Sequence, residues 1–523
     1  MTRRPTSRTR SPHTATPATL PPPADTGAMQ VHVRMYRALE PSTTEPRSYK
    51  GLLGDCFLIR LEQQGKKSHI LIDCGLLLGS PEAQDRANRI AANIIQETGG
   101  TLDLLVVTHE HWDHISGFSQ ARDLFLNPAK LKIANLWMAW TEKVGDSQAD
   151  KLRAKFDKSN TAFTAFAEHL QKSTGLNGSQ ILQGLDAFIG LAPGTGRMTG
   201  REIMDAVKAA AQEKSFLEPG AVIQTPTATP GGPTVRAFAL GPPRDEKLLF
   251  KDSPSAGAAQ ETYLDLPTFG NAMLRVTQGE TDVPSSDIPF AQHFCKIEAK
   301  YLKPGGPPRP NGDMSTADEI WIEEHYFKLP AATPAQQAVL DRRQIDNDWL
   351  SAAGPLALKL DSDTNNTSLV LAFDLPDGTA MLFAADAQVG NWLSWHTHDY
   401  VDETGKTHKA EQILNRTRFY KVGHHGSHNA TLDKQGLAMM TRDDLVAAIP
   451  TDEELGKKQG GGWQMPNPRV KAVLLERTKG RIMRNDRFYD PAARSADPEL
   501  KDVDPAFFAK LTEDDLYLEF RVL

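Results

Sequence analysis

Residues 29–490 predict a layered α/β architecture. Three observations point there: short apolar runs of strand length, helices with apolar residues at three- and four-residue spacing, and both kinds of element on either side of an irregular, Pro- and Gly-rich middle. Val31, Val33 and Met35 alternate with His32 and Arg34, the pattern of a half-buried strand. Cys56 to Leu61, Ile70 to Cys74 and Leu102 to Val107 are short apolar runs beside turn signals and read as buried strands. Ala83, Ala87, Ile90 and Ile94 set a helix over 82–97. Phe156, Phe163, Phe166 and Leu170 set another over 150–172. The Gly-rich run 194–200 lacks the Gly-Lys-Ser/Thr ending of a phosphate loop, and Thr199 instead reads as the cap of a helix Arg201–Gln212. Stretches 225–233, 252–258 and 303–313 are loops or insertions. Thr367 to Phe373 and Ala380 to Ala385 flank Pro376-Asp377-Gly378 as a hairpin. Arg418 to Val422 and Val470 to Leu475 read as further short strands.

The domain reading follows. Residues 1–28 are rich in Ser, Thr, Pro and Arg and form an expected disordered basic tail, with Met29 an alternative start. Residues 29–490 form one domain with a large irregular insertion at roughly 175–360, and 491–523 form a C-terminal extension. The chain of 523 residues is 39% hydrophobic and 24% charged, ordinary values for a globular protein. A net charge of −7 does not advertise nucleic acid or an anionic membrane as a partner, although a local basic groove is compatible with it. Three separated cysteines, Cys56, Cys74 and Cys295, make neither a disulfide framework nor a thiolate zinc site. With no apolar run near the ~18 residues of a membrane span and no secretory h-region, the expectation is a cytoplasmic protein without membrane contact.

The chemistry concentrates at His109-Glu110-His111-Trp112-Asp113-His114, directly behind a buried strand. Imidazole and carboxylate are ligands for zinc, iron or manganese, and a strand end is a rigid platform for them. His109 and His111 alternate along an extended loop, and Asp113 and His114 turn back toward the same point. The spacing suits two adjacent metals.

The run Thr108 to Gly117 resembles the signature of metallo-β-lactamase-fold hydrolases. Ile70-Leu71-Ile72-Asp73-Cys74-Gly75 resembles that family's supporting strand-Asp element, and Phe383-Ala384-Ala385-Asp386-Ala387 the strand that ends in a bridging carboxylate. Gly54-Asp55, Asn365-Asn366 before Ser368-Leu369-Val370-Leu371, and Lys421-Val422-Gly423-His424-His425-Gly426-Ser427 resemble the ComEC-type competence hydrolase domain, which accompanies a membrane channel that this chain lacks. The resemblance covers roughly 30–125 and 360–485. It implies an αβ/βα four-layer sandwich and two divalent metal ions, zinc foremost, with manganese or iron as alternatives. His109 and His111 then hold one metal, Asp113 and His114 the other, and Asp386 bridges them. His424 completes the second site with His425 beside it; the sequence does not fix which of the two points inward. Asp73 would orient a ligand His from behind.

Three departures from the family pattern stand out. A further ligand His is usual between the first motif and the bridging Asp. Here His169, His293 and His325 have ordinary contexts, and Asn365 or Asn366 takes that place in the ComEC-like branch. Ala385 stands where Gly usually precedes the Asp, and Asn467 where Gly-His-Pro is common. His396 and His398 look like a ligand pair but lack a following Asp-His, and read as a loop.

The resulting expectation is a metal-dependent hydrolase using a hydroxide held between two metals, acting on phosphodiester or phosphate-ester substrates, small molecules or nucleic acid. Asp113 would orient the nucleophile or accept its proton, and His425 or Ser427 would contact the substrate oxyanion. Arg477, Lys479, Arg481, Arg484 and Arg487 are candidate phosphate contacts, or else a solvated basic loop. Hydrolysis of carboxylic esters, lactones or amides on the same site is the first alternative, and a non-catalytic metal-binding module the second.

Overall fold

The computed structural model describes residues 27–37, 54–76, 82–158, 198–251, 362–454 and 465–523. Gln30–Tyr36 (β1), Phe57–Gln63 (β2) and Lys66–Ile72 (β3) form an antiparallel meander in which Val33 faces Ile59 and Met35 faces Phe57. Val31, Val33 and Met35 are fully buried, as their alternation predicts. Thr101–Leu102 (β4), Leu104–Val106 (β5), Lys132–Ala139 (β6) and Ala211–Leu217 (β7) extend this sheet with parallel pairings, β5 beside β3 and β6 joined to β4, β5 and β7. At its other end lie Leu511–Glu513 (β17) and Tyr517–Arg521 (β18), and β18 pairs with β1.

The second sheet begins antiparallel with Val222–Gln224 (β8), Arg236–Gly241 (β9), Val370–Asp374 (β10) and Ala380–Phe383 (β11). It continues in parallel through Thr417–Lys421 (β14), Val446–Ile449 (β15) and Ile482–Arg484 (β16). Tyr400–Val401 (β12) and Thr407–His408 (β13) form a separate small ribbon.

Three apolar clusters show the layering. Val33, Ile59, Ile72 and Val106 of the first sheet meet Ala239, Leu371, Phe383 and Phe419 of the second, so the sheets pack face to face. Behind the first sheet, Leu71 and Leu105 pack on Ile90 and Ile94 of Ala83–Thr98 (α1), on Ile115 and Phe118 of Trp112–Gln120 (α2), and on Ile203 and Val207 of the helix Gly200–Ala210. Behind the second, Leu382 and Tyr420 pack on Trp392, Ile413 and Leu474 of its helices. Burial on both faces explains why the central strands are nearly continuous apolar runs. The mixed α/β fold is the four-layer arrangement that the resemblance implies.

Some elements differ from their sequence reading. Val470 to Leu475 is not a strand but lies within the helix Pro468–Thr478. Asn467 caps that helix by accepting from the Arg469 and Val470 amides, Pro468 occupies its first turn, and of its residues only Leu474 and Thr478 are buried. The apolar run therefore marks a helix lying on a sheet, not a strand within one. Asn467→Ala is expected to cost about 1 kcal/mol, read as a lowered denaturation midpoint; no change would remove the cap from the account. Thr199 does cap its helix, in a reciprocal box with Glu202, but the chain leaves the helix after Ala210 and enters β7. The helix expected over 150–172 is described only to residue 158, and the rest lies outside the described residues. Residues 198–251 and 511–521 supply strands to the two sheets. Among the described residues no helix is long and apolar enough to cross a membrane.

Candidate metal centre

Chain ends of four strands converge on one edge of the sandwich. Asp73 follows β3, the run Thr108 to His114 follows β5, Asp386 follows β11, and His424 and His425 follow β14. Loops at the carboxyl ends of sheet strands are where α/β sites collect. The β5 loop turns at once into α2, so Asp113 and His114 sit in the first helical turn. That turn is pinned to the loop after β3 and to the segment before β2: the Cys74 amide donates to the His114 carbonyl at 2.8 Å, and the Asp55 amide to the Asp113 carbonyl at 2.9 Å. Gly75 permits this approach, because a Cβ there would lie 1.9 Å from the Asp113 carbonyl.

Ligand-capable atoms of Asp113, His114, Asp386 and His425 all fall within 4.8 Å of one another. His114 Nε2 is 3.1 Å from Asp386 Oδ1, and His425 Nε2 is 2.7 Å from Asp113 Oδ2. Beside them, His109 Nε2 and His111 Nδ1 approach to 3.1 Å. His424 Nε2 lies 3.7 Å from Asp386 Oδ2. The sequence reading put His424 on the metal and His425 on the substrate; the compact group contains His425.

Hydrogen bonds behind the rings fix their tautomers. The Pro450 carbonyl can only accept, so the His425 Nδ1 that lies 2.6 Å away carries the proton. Asp73 Oδ2 accepts from His114 Nδ1 at 2.8 Å and from the Thr108 hydroxyl at 2.7 Å. With its own hydrogen directed at Asp73, the Thr108 oxygen is left to accept from His109 Nδ1 at 3.1 Å. In the neutral rings the Nε2 lone pairs of His114 and His425 therefore face carboxylate oxygens, and that of His109 faces His111. His114 Nε2 is buried with no hydrogen-bond partner among the described residues. Acceptors converging on acceptors in a buried site need cations between them. Nitrogen with carboxylate oxygen is a donor set that suits first-row divalent metals, so these residues fit metal ions. Asp73 bonds His114 from behind, where the sequence reading placed it.

Without a metal, protons compete for the same lone pairs. Burial opposes protonation of His114, but Asp386, Asp55 and Asp113 raise its pKa well above the usual value. His425 is also raised, against burial, through its bond to Asp113. Burial lowers His111 to about 4 and takes His109 well below the ordinary range. Asp113 and Asp386 are held below the usual carboxylate range, their burial outweighed by His114 and its neighbours.

Sequence reasoning assigned no role to Asp55 or Lys421 here. The Lys421 ammonium pairs with Asp55 Oδ2, donates to the Ala385 carbonyl at 2.9 Å and lies 3.5 Å from Asp386 Oδ1. It thus occupies the cation position beside the second acidic group, Asp55, Asp73 and His114. Burial would lower Lys421, and Asp55 and Asp386 raise it. Ser368 also joins the site, with its Oγ 3.3 Å from both His109 Nδ1 and the Asp386 amide.

Asp73, Ala385, His424 and His425 all have positive φ, 55°, 47°, 42° and 51°. Left-handed backbone costs a non-glycine residue ~1–2 kcal/mol, and such strain gathers at functional sites. At Ala385 it accounts for the family's glycine. Ala385→Gly relieves that strain and loses ~0.4–1 kcal/mol to the freer unfolded chain. The expected result is a protein as stable as the parent or up to ~1.6 kcal/mol more so; clear destabilisation in a denaturant titration would contradict it.

The other predicted residues lie as follows. Asn366 Oδ1 accepts from the Gln388 amide and its Nδ2 donates to the Lys251 carbonyl, which is scaffolding, and Asn365 is buried beside it. His169, His293 and His325 are outside the described residues. His396 bonds the Gln435 carbonyl in an exposed contact. Ser427 donates to Asn429. Arg481 bonds the Leu445 and Asp443 carbonyls, Arg484 pairs with Glu453 and Asp486, Arg487 with Asp497 and Glu499, and Lys479 with Asp443.

Among known proteins, residues 49–176 match the metallo-beta-lactamase superfamily. No curated protein matches the chain.

Proposed function

We propose that this protein is a metal-dependent hydrolase of phosphate esters and phosphodiesters. The observation that carries the metal is the convergence of Asp113, His114, Asp386 and His425 within 4.8 Å, beside the facing nitrogens of His109 and His111. In this reading His109 and His111 would hold one divalent ion, Asp113, His114 and His425 the other, and Asp386 would serve both. His424 exchanges roles with its neighbour and faces the substrate, its Nδ1 having no hydrogen-bond partner among the described residues.

Divalent ions in this place supply Lewis acidity that brings the pKa of water toward ~7 and offsets charge on phosphoryl oxygens. The side chains do the rest. Asp113, kept ionised, orients the attacking water and accepts its proton. His425, its ring fixed by Pro450, would present its Nε2 lone pair beside Asp113. Asp73, through Thr108 and His114, keeps the imidazoles in the tautomer that exposes Nε2. Two adjacent ion sites would suit phosphoryl transfer, where charge develops on both the attacking and the leaving oxygen. The basic residues near the C-terminus do not add to this reading, since Lys479, Arg481, Arg484 and Arg487 are engaged by carboxylates or carbonyls.

The test is a substrate panel on protein reloaded with zinc or manganese: bis(p-nitrophenyl) phosphate, single- and double-stranded DNA, p-nitrophenyl acetate and a simple lactone. Metal-dependent phosphodiester cleavage is expected. Cleavage of the carboxylic ester or lactone alone would overturn the substrate class and keep the hydrolase. Inertness of a folded, metal-loaded sample toward the whole panel would overturn both.

A further inference from the structure

Glu110 stands between His109 and His111, and its side chain points away from them into a partly buried ion network. Its Oε2 is 2.8 Å from one terminal nitrogen of Arg201, and the other terminal nitrogen is 2.8 Å from Glu142 Oε2. Lys208 closes the row at 2.9 Å from the same Glu142 oxygen. Arg201 and Lys208 lie on the helix Gly200–Ala210, which is outside the segment matching the superfamily. The first residue of that helix also meets the loop directly, since a Cβ on Gly200 would lie 2.8 Å from the Glu110 carbonyl oxygen. The helix is itself fixed, by the Thr199–Glu202 capping box at its start and by Ile203, Met204 and Val207, which are buried in the cluster that holds Trp112 and Ile115 of α2.

We infer that Arg201 is a positioning residue, which sets the approach of His109 to His111 by holding the Glu110 side chain between them. The inference rests on the reading of His109 and His111 as metal-holding residues. A guanidinium fork serves two carboxylates at once, whereas an ammonium is a point charge. Without Arg201, Glu142 keeps Lys208, but Glu110 loses the one cation within ion-pair distance of it among the described residues. A half-buried carboxylate without its cation turns toward water, and the backbone that moves with it carries both histidines.

The experiment compares wild type, Arg201→Met, Arg201→Lys and the pair Glu110→Gln/Arg201→Met. The first readout is zinc affinity, by competition with a chelator. Loss of such supporting contacts typically weakens metal binding ~10- to 100-fold. The expected result is a loss of that size for one bound equivalent in Arg201→Met and an unchanged second equivalent. Arg201→Lys should be intermediate, and the double variant should recover most of the loss because no charge is stranded. The second readout is hydrogen exchange of the 109–111 amides in metal-free protein, faster in Arg201→Met than in wild type or the double variant. Unchanged zinc affinity and unchanged exchange in Arg201→Met would overturn the inference, as would equal weakening of both equivalents. If wild type binds no zinc, the proposed function fails and the exchange comparison alone decides the role of Arg201.

Discussion

Asp113→Ala is expected to reduce hydrolysis by on the order of 10³-fold or more, a loss of ~4 kcal/mol in transition-state stabilisation, with the fold retained. Asp113 contributes an oxygen to the Asp113, His114, Asp386 and His425 group and is also the hydrogen-bond partner of His425. In the proposed function its removal takes away a metal-holding oxygen and the proton acceptor together. The fold should survive because the structural tie at this position is the backbone carbonyl, which accepts from the Asp55 amide whatever the side chain. Metal-reloaded variant and parent are compared by initial rates and by circular dichroism. A folded variant with near-parental rates would end the role given to Asp113.

Lys421→Met has the largest expected effect on stability. The Lys421 and Asp55 side chains are 1% and 3% exposed, and their pair joins the two halves of the sandwich, since Asp55 precedes β2 and Lys421 ends β14. Breaking a buried pair by removing one partner typically costs ~3–5 kcal/mol, because the remaining charge is stranded. The stranded charge here is worse than usual: Asp55 Oδ1 has no hydrogen-bond partner among the described residues, and Asp73 and Asp386 lie close by. Chemical denaturation should show a loss of that size, and a compensating Asp55→Leu in the same chain should restore much of it. Parental stability in the single variant would mean that the pair contributes nothing.

The sequence carried the site best where its residues are consecutive. His109, His111, Asp113 and His114 stand together behind a buried strand, so both their chemistry and their convergence can be read from spacing. Asp386 and the two late histidines could be placed only through the family resemblance. Which of His424 and His425 joins Asp113 depends on left-handed backbone at both positions, which histidine tolerates better than most residues but which its preference alone does not select. The Asp55–Lys421 pair and the Glu110–Arg201 pair join residues far apart in the chain, where periodicity is silent. In the fold, strong alternation and caps were legible, as in β1 and at Thr199. The run from Val470 to Leu475 misled because a short apolar stretch does not distinguish a strand from one face of a helix; the Asn467-Pro468 start was the signal that decides it. Strands such as β7, with four consecutive exposed residues, carry little apolar pattern and form through pairing with β6.

Every role proposed for these side chains depends on their holding divalent metal. The most direct measurement is the metal content of the folded protein after reloading with zinc or manganese and removal of unbound ion, set against Asp386→Ala. About two ions per chain in the parent, and a loss in the variant, is the predicted result. A folded parent that retains no metal would contradict it.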